Sequence, residues 1–308
     1  MKNEIFEEIC KLTQNQLVMY NLSILKKIGY ENIIREDGFV YAKGTVPILL
    51  VAHMDTVHKK VPSKIKYNKE IIKSPQGIGG DDRCGIYMIH KIIEKHKCSV
   101  LFLEDEEIGC VGAKKFVKSK YINDLDVNYM IELDRKGNQD AVFYECDNPE
   151  FTEFIINDSP LKEDYGSYTD ICTLMPATGI AGVNISCGYY NAHTKDEYVN
   201  LQEMENLIID INKIVEKPCN EKFDFIERDS SWYDDDYNLW LEEALHQTYL
   251  NYGNNGSEAN IFKITYDDYL NGEFIVETSA SSEAEAVGIF LMCNEELPYS
   301  SIISVEQL

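Results

Sequence analysis

The sequence predicts an α/β protein, a three-layer sandwich in which helices cover both faces of a mostly parallel, mixed sheet. One observation is a set of short, continuous apolar runs, of which Val46–Ala52 is the clearest. Such a run is typical of a strand that is buried on both faces. Another is that stretches with helical spacing, such as Asp82–His96, lie between these runs. Strands that alternate with helices favour a parallel sheet with helical layers on both sides.

The remaining elements follow in chain order. Residues 1–45 predict an N-terminal helix, with Ile5, Ile9, Leu12 and Leu17 on its apolar face, and a short hairpin. Further strands are predicted at Val100–Leu103, Val127–Ile131, Ala141–Tyr144 and Ile180–Ile185. These runs resemble Val46–Ala52 in length and in branched residues, so we expect them in the same sheet.

A long amphipathic helix is predicted over Asn200–Glu216. Asn200 stands at the N-cap position and Glu203 follows three residues later, which is a capping-box pattern. Apolar residues at helical spacing form one stripe: Leu201, Met204, Leu207, Ile208, Ile211 and Val215. The pattern therefore predicts a helix with one buried face.

The acidic charge is concentrated in the last part of the chain and indicates two domains. Of the formal net charge of −24, residues 221–308 contribute 19 acidic against 3 Lys/Arg residues, and Pro218 lies just before this change. We therefore predict a main domain over residues 1–220 and a small acidic α+β appendix over residues 221–308. In the appendix KITYDDY and EFIVETS predict strands, and SSEAEAVGIFLM predicts a helix.

Composition excludes several functional classes. A charge of −24 repels nucleic-acid phosphates and anionic membranes, so we expect neither as a partner. The apolar runs are too short to cross a bilayer, and the acidic N-terminus does not resemble a secretory signal. The nine cysteines are scattered without a CxxC pair, which indicates reduced thiols and a cytoplasmic protein.

Five motifs place potential metal ligands after predicted strands or at the start of a predicted helix. They are VAHMDTV, GIGGDDRCG, FLEDEEIG, IELDRKG and GYYNAHTKDEYV. In sheets of this class, sites gather outside the carboxyl ends of the strands, where all five motifs fall. Two histidines with several carboxylates suit zinc, with cobalt or manganese as alternatives.

The spacing within the motifs assigns distinct tasks. His53 and Asp55 are two residues apart on an extended segment, so their side chains point to the same side and one can orient the other. Glu106 and Glu107 are adjacent and diverge, so one can bind metal while the other faces a water molecule. Asp81 follows two glycines, whose turn can place its carboxylate between two cations. This combination predicts a two-metal hydrolase, in which paired cations activate a water and polarise a carbonyl.

HMDTV, GGDDRCG, DEEIGCVGA, ELDR and YNAHT resemble the metal motifs of the co-catalytic zinc peptidases, over about residues 46–200. The resemblance implies two divalent metal ions: one held by His53, Asp81 and Asp134, and another held by Asp81, Glu107 and His193. It also implies Glu106 as general base, Asp55 as the partner of His53, and a cis peptide bond after Asp81.

The chain departs from carboxypeptidase G and peptidase T in one respect. In those families a lid domain is inserted between the acidic residue that corresponds to Asp134 and the histidine that corresponds to His193. Here only 58 residues lie between these two positions, which leaves no room for a lid domain. The resemblance is therefore closer to the lidless zinc aminopeptidases, although in its motifs, GGDDRCG among them, the chain also resembles peptidase T and carboxypeptidase G; we expect an aminopeptidase that acts on short peptides. Many such relatives form homo-oligomers, which makes a homo-oligomer an expectation here. The role of residues 221–308 is left open: covering the site, assembly or packing.

Other functions remain open at this stage. An N-acyl amino acid deacylase or a carboxypeptidase fits the same motifs, because specificity depends on pocket loops. A non-catalytic binding protein on a peptidase scaffold is the alternative of another class, and the charge argues against a two-metal nuclease. Asp170 and Tyr190 are candidate substrate contacts, and His58, five residues after His53, lies within reach of the site rim.

Overall fold

The chain divides into two compact units, Met1–Asp229 and Ser230–Leu308. The computed structural model describes residues 3–228, 260–268, 272–280 and 302–307. The helix predicted over residues 281–292 lies outside the described residues.

The helices and strands of the first unit alternate along most of its length. Its helices are α1 Glu4–Cys10, α2 Gln14–Ile28, α3 Gly80–Ile93, α4 Val111–Lys118, α5 Pro149–Ile156, α6 Asp170–Thr178 and α7 Leu201–Glu216, with a 3-10 helix at Lys120–Asp124. Its strands are β1 Ile33–Glu36, β2 Phe39–Ala42, β3 Val46–His53, β4 Lys66–Asn68, β5 Ile71–Lys73, β6 Cys98–Leu103, β7 Tyr129–Arg135, β8 Asp140–Val142, β9 Lys162–Asp164, β10 Gly182–Ser186, β11 Tyr189–Tyr190 and β12 Tyr198–Asn200.

Eight strands form one mixed sheet in the order β1-β2-β6-β3-β7-β10-β8-β9. Its centre is parallel, since β3 pairs in parallel with both β6 and β7, and β10 pairs in parallel with β7. Residues 48–53 of β3 are all buried, and successive side chains point to opposite faces, so both faces of the sheet are covered. The predicted α/β class with a mixed sheet is confirmed.

Two groups of helices pack on this sheet. α3 contacts β3 and β7 and also packs against α1 and α7, whereas α4 and α6 pack on each other and contact β2 and β10 respectively. The predicted N-terminal helix is observed as two helices, α1 and α2. α2 begins with a capping box in which Thr13 and Gln16 satisfy each other's backbone N–H groups.

The predicted helix start at Asn200 is confirmed, but its capping box is not formed as expected. The Asn200 side chain accepts hydrogen bonds from the N–H groups of Gln202 and Glu203. The Asn200 N–H donates to the Gly188 carbonyl instead of to Glu203. The Glu203 carboxylate is therefore free to accept the Tyr190 hydroxyl.

The strand predicted at Val127–Ile131 is shifted toward its carboxyl end. It runs over Tyr129–Arg135, so Asp134 lies inside the strand and not beyond its end. The cause is tertiary, because β10 pairs with β7 as far as Arg135. His193 likewise does not end a strand, since it lies three residues beyond β11 with a φ of +63°.

Two smaller sheets complete the described fold. β11, β12, β5 and β4 form a four-stranded sheet that no sequence pattern had indicated. In the second unit, β13 Asn260–Asp268, β14 Gly272–Ala280 and β15 Ile302–Gln307 form an antiparallel sheet in the order β14-β13-β15. The strands predicted from KITYDDY and EFIVETS are confirmed as β13 and β14. Within the described ranges, no helix is long and apolar enough to cross a membrane.

We predict that Asn200→Ala destabilises the first unit, because two backbone N–H groups at the start of α7 lose their acceptor. The expected loss is about 0.5–2 kcal/mol in the free energy of unfolding. Urea denaturation followed by circular dichroism measures it, with the neighbouring exposed Gln202→Ala as control. Equal stability of the two variants would contradict the capping role.

Candidate metal centre

The segments that carry the predicted ligands meet at one edge of the large sheet. β3, β6 and β7 are parallel, so their carboxyl ends lie at the same edge. The turn at the start of α3 and the loop after β11 reach the same edge. Together these segments bring all five predicted ligands within contact of one another: His53, Asp81, Glu107, Asp134 and His193.

Asp81 lies at the centre and presents one carboxylate oxygen to each histidine. Its Oδ1 is 3.0 Å from His53 Nε2 and its Oδ2 is 3.1 Å from His193 Nε2. Asp134 Oδ1 is 3.5 Å from His53 Nε2, and Glu107 Oε2 is 3.2 Å from His193 Nε2. The geometry thus contains a His53 half-site (His53, Asp81, Asp134) and a His193 half-site (His193, Asp81, Glu107) that share one carboxylate.

Asp55 ties the His53 half-site to the loop after β6. Its Oδ1 lies 3.1 Å from His53 Nδ1 and also accepts the Glu106 N–H at 3.0 Å, while its Oδ2 accepts the Glu107 N–H at 3.0 Å. Burial by itself would raise the pKa of Asp55, but its contacts with His53 and with these two N–H groups outweigh burial and lower it. One carboxylate therefore orients a histidine and positions two glutamates.

Asp82 also lies near the centre but is occupied by the backbone. His53, Asp82 and Asp134 can place one ligand atom each within 4.8 Å of one another, as can His53, Asp81 and Glu107. However, Asp82 Oδ2 accepts the His53 N–H at 3.2 Å and Oδ1 accepts the Gly85 N–H at 2.8 Å. We therefore regard Asp81 as the better ligand. The cis peptide bond expected between Asp81 and Asp82 is present.

Asp134 is held by three side chains. Asn184 clamps its backbone, accepting the Asp134 N–H at 2.9 Å and donating to its carbonyl at 3.0 Å. The Tyr189 hydroxyl donates to Asp134 Oδ1 at 3.3 Å, and the Thr169 hydroxyl lies 3.1 Å from Oδ2. No sequence pattern indicated Asn184, which reaches Asp134 through the pairing of β10 with β7, whereas Thr169 belongs to the same segment as the candidate Asp170.

Glu197 is a further residue that the sequence did not single out. It is fully buried and accepts the N–H groups of Gly79, at 2.7 Å, and Asp81, at 3.1 Å. His58 contacts the same carboxylate, with 2.8 Å between His58 Nε2 and Glu197 Oε2. A buried carboxylate must be hydrogen-bonded, so Glu197 fixes the turn that carries Asp81.

Asp170 and Glu132 are buried beside the centre with unpaired oxygens. Thr169 Oγ1 lies 3.0 Å from Glu132 Oε1, but Glu132 Oε2 and both oxygens of Asp170 have no hydrogen-bond partner among the described residues. Asp170 has no solvent exposure, so a substrate amine would need a path to reach it. Burial raises the pKa of Asp170 to about 7.

Both the hydroxyl group and the ring of Tyr190 already have partners. Its hydroxyl donates to Glu203, and its ring stacks on Tyr198 with 5.0 Å between ring centroids. A substrate contact by Tyr190 would therefore have to use its ring.

Two further groups of the site, Glu106 and His193, have raised pKa values. Burial raises the pKa of Glu106 to about 9, opposed by His53 and increased further by the nearby Asp134 carboxylate. His193 changes in the same direction, because its hydrogen bonds to Asp81 and Glu107 raise its pKa to about 11.

The donor set fits two divalent metal ions. Each half-site offers an imidazole nitrogen and carboxylate oxygens, which are the ligands that zinc takes in catalytic sites. Glu107 Oε1 is buried and has no hydrogen-bond partner in the described part of the chain, which leaves a free ligand atom in the His193 half-site. His193 itself is 56% exposed, so this half-site opens toward solvent.

Comparisons with known proteins support the same fold. Neither the family models nor the curated proteins include a match. Among solved structures, the chain is similar to aminopeptidase PepT from Bacillus cereus, with a TM-score of 0.55 and 14% identity over 69% of this chain and 96% of that chain. It is also similar to a tripeptidase from Staphylococcus aureus, with a TM-score of 0.54 and 14% identity over 68% and 95%. A third similar structure is the TET1 peptidase of Pyrococcus horikoshii, with a TM-score of 0.50 and 12% identity over 67% and 94%. The predicted resemblance to the co-catalytic zinc peptidases is confirmed at the level of the fold.

We predict that Asp170→Asn stabilises the metal-free protein more at pH 8 than at pH 4.5. Asp170 ionises near pH 3.8 when unfolded but near pH 7 in the folded protein, so its contribution to stability falls as the pH rises through this window. Because one pKa unit corresponds to about 1.4 kcal/mol, the gain at pH 8 is on the order of 1–4 kcal/mol.

Urea denaturation of the chelator-treated protein at both pH values measures this gain. Asp126→Asn serves as control, because the Asp126 side chain is 89% exposed and is not desolvated. A gain from Asp170→Asn that is the same at both pH values would show that the Asp170 carboxylate is not destabilised by its burial.

Proposed function

We propose that the chain is a two-metal hydrolase of amide bonds, an aminopeptidase that acts on short peptides. The observation that carries the proposal is the position of Asp81, whose two oxygens face two different histidines at 3.0 and 3.1 Å. A carboxylate in this position would be shared by two cations. We assign His53, Asp81 and Asp134 to one ion and Asp81, Glu107 and His193 to the other; the donor chemistry favours zinc, with cobalt or manganese as substitutes.

The residues around the two half-sites have complementary tasks in this reaction. When bound, the two metal ions polarise the scissile carbonyl and lower the pKa of a water molecule. Glu106 accepts the proton of the attacking water and passes it to the leaving amine. Asp55 holds Glu106 and Glu107 through their backbone N–H groups, so that one glutamate faces the water while the other binds metal.

The charge around the site favours a substrate with a free amino end. The carboxylates of Asp81, Asp134, Glu106 and Glu107 would balance the charge of two divalent ions, so that no surplus positive charge would attract a substrate carboxylate. The arginines closest in sequence are already engaged: Arg83 donates to the Asp55 carbonyl at 2.8 Å, and Arg135 donates to Asp164 at 2.7 Å. Neither guanidinium is therefore positioned to grip a substrate carboxylate, which disfavours a carboxypeptidase. Two of the similar structures are described as an aminopeptidase and as a tripeptidase, and these descriptions agree with this assignment.

Several finer assignments belong to the same proposal. Asp170 is kept as a candidate contact of a substrate amine, because neither of its carboxylate oxygens has a hydrogen-bond partner among the described residues, and the Tyr190 ring borders the path of the substrate. The eight described cysteines are free thiols, which suits a reducing cytoplasm. The TET1 peptidase assembles into a tetrahedron or an octahedral shell, and we propose a homo-oligomer for this chain as well. The sequence predicts that the acidic appendix begins at residue 221, but the second unit begins at Ser230, because Asp224 and Glu227 form bridges with Ile180 and Cys146 of the first unit; we propose Ser230–Leu308 as a separate module of the same protein.

We predict that Glu106→Gln lowers kcat by about 10²- to 10⁴-fold, because the variant cannot take up the proton of the attacking water. Metal content should remain two ions per chain, since Glu106 is not assigned as a ligand. Peptide hydrolysis and elemental analysis of the same samples measure both quantities. Unchanged turnover would remove the assignment of Glu106 as the base and favour a binding protein.

We predict that the zinc- or cobalt-loaded protein removes single residues from the amino end of short peptides. A mixed library of free, N-blocked and C-blocked peptides, analysed by mass spectrometry, tests this, with Glu106→Gln as control. Cleavage that requires a free amine supports the aminopeptidase. Cleavage that requires a free carboxyl end, or removal of the blocking acyl group, would contradict it in favour of a carboxypeptidase or an N-acyl amino acid deacylase.

A further inference from the structure

We infer that Glu197 and His58 form a positioning pair that holds the bridging Asp81 and links the loops of both half-sites. Neither residue is assigned to a metal, and neither has a place in the hydrolytic reaction itself. The inference rests on the proposed function, because the pair acts through the ligands of that site.

Glu197 fixes the backbone on both sides of Gly80. Its Oε2 accepts the Gly79 N–H at 2.7 Å, and its Oε1 accepts the Asp81 N–H at 3.1 Å. Glu197 and Tyr189 lie close to the Gly80 backbone, because a Cβ on Gly80 would lie 3.3 Å from Glu197 Oε1 and 2.8 Å from Tyr189 Cβ. A carboxylate is required for this arrangement, since it accepts through both oxygens, whereas a glutamine would direct an NH₂ group at one of the two donors.

His58, from the segment that follows His53, contacts Glu197. His58 Nε2 lies 2.8 Å from Glu197 Oε2, and the His58 side chain is only 12% exposed. The His58 ring also covers Gly77, where a Cβ would come within 2.1 Å of ring atoms. The ring therefore packs on the turn before Asp81 while its nitrogen contacts Glu197.

The pair joins the three segments that supply both histidines and the bridging carboxylate. His58 follows His53 by five residues, Gly77 precedes Asp81 by four, and Glu197 follows His193 by four. These segments are loops, whose positions are less fixed than those of the central strands. Asp81 must direct one oxygen to each histidine, so a shift of its backbone would affect both half-sites at once. Partners that orient ligands in this way typically contribute about 10- to 100-fold to metal affinity.

The experiment compares three variants with a matched control. His58→Phe keeps a ring over Gly77 but removes the nitrogen, and His58→Gln places an amide N–H near the position of Nε2. Glu197→Gln keeps the shape of the side chain but replaces one acceptor. The control is His96→Phe, which removes another histidine–glutamate contact, 3.2 Å to Glu216. His96 lies beyond the end of α3, about 20 Å along the helix from Asp81.

Zinc affinity is measured on metal-free protein by competition with a chromophoric chelator, and unfolding of the same metal-free samples is followed by urea denaturation. We expect about 10- to 100-fold weaker zinc binding in Glu197→Gln and about tenfold weaker binding in His58→Phe. His58→Gln should recover most of the affinity. His96→Phe should bind zinc as the unmodified protein does. The absorption spectrum of the cobalt-loaded protein should change in Glu197→Gln and in His58→Phe.

Each outcome decides between the alternatives. If the unmodified protein binds two zinc ions and all variants bind them equally well, the inference is overturned and the proposed function stands. Equal losses in His58→Phe and His58→Gln would assign the effect to packing of the ring and would also overturn it. An unmodified protein that binds no zinc would remove the proposed function, and the inference with it. If Glu197→Gln does not fold, the two His58 variants still decide the question.

Discussion

The burial of many carboxylates at one edge of the sheet is the constraint on which the rest of this structure depends. Charged carboxylates in a low-dielectric environment repel each other and are costly unless they are paired. Here Asp81 and Asp134 both lie against His53, and burial raises the pKa of Asp134 to about 6. The same cluster places two imidazole nitrogens beside carboxylate oxygens, which is the donor set on which the proposed metal centre rests.

The sheet and the loops contribute to the centre in different ways. β3 and β7 place His53 and Asp134 on adjacent, hydrogen-bonded strands, so these two residues are fixed by the core itself. Asp81 comes from the non-helical start of α3, and Glu107 and His193 come from loops. Asp55 binds the N–H groups of the loop after β6, and Glu197 binds those of the turn before α3. The same residue type thus serves both as a ligand and as the support of ligands.

The sequence predicted much of the fold because strong local signals coincide with the tertiary structure. The apolar run of β3 is buried on both faces in the structure, and Asn200 caps α7 as expected. The failures occur where a distant partner overrides a local preference. Glu203 does not complete the capping box because the Asn200 N–H donates its hydrogen bond to the Gly188 carbonyl. Likewise, β7 extends to Arg135 because β10 pairs with it.

The sequence by itself determined which residues are available for chemistry. The five motifs follow recognisable strands and helix starts, and the carboxyl ends of parallel strands must share an edge. It did not determine how those residues are oriented and supported. Asn184, Thr169 and Glu197 reach the centre only through strand pairing and loop packing between segments far apart in the chain. Long-range contacts of this kind leave no periodicity or spacing in the sequence, so only the tertiary structure decided them.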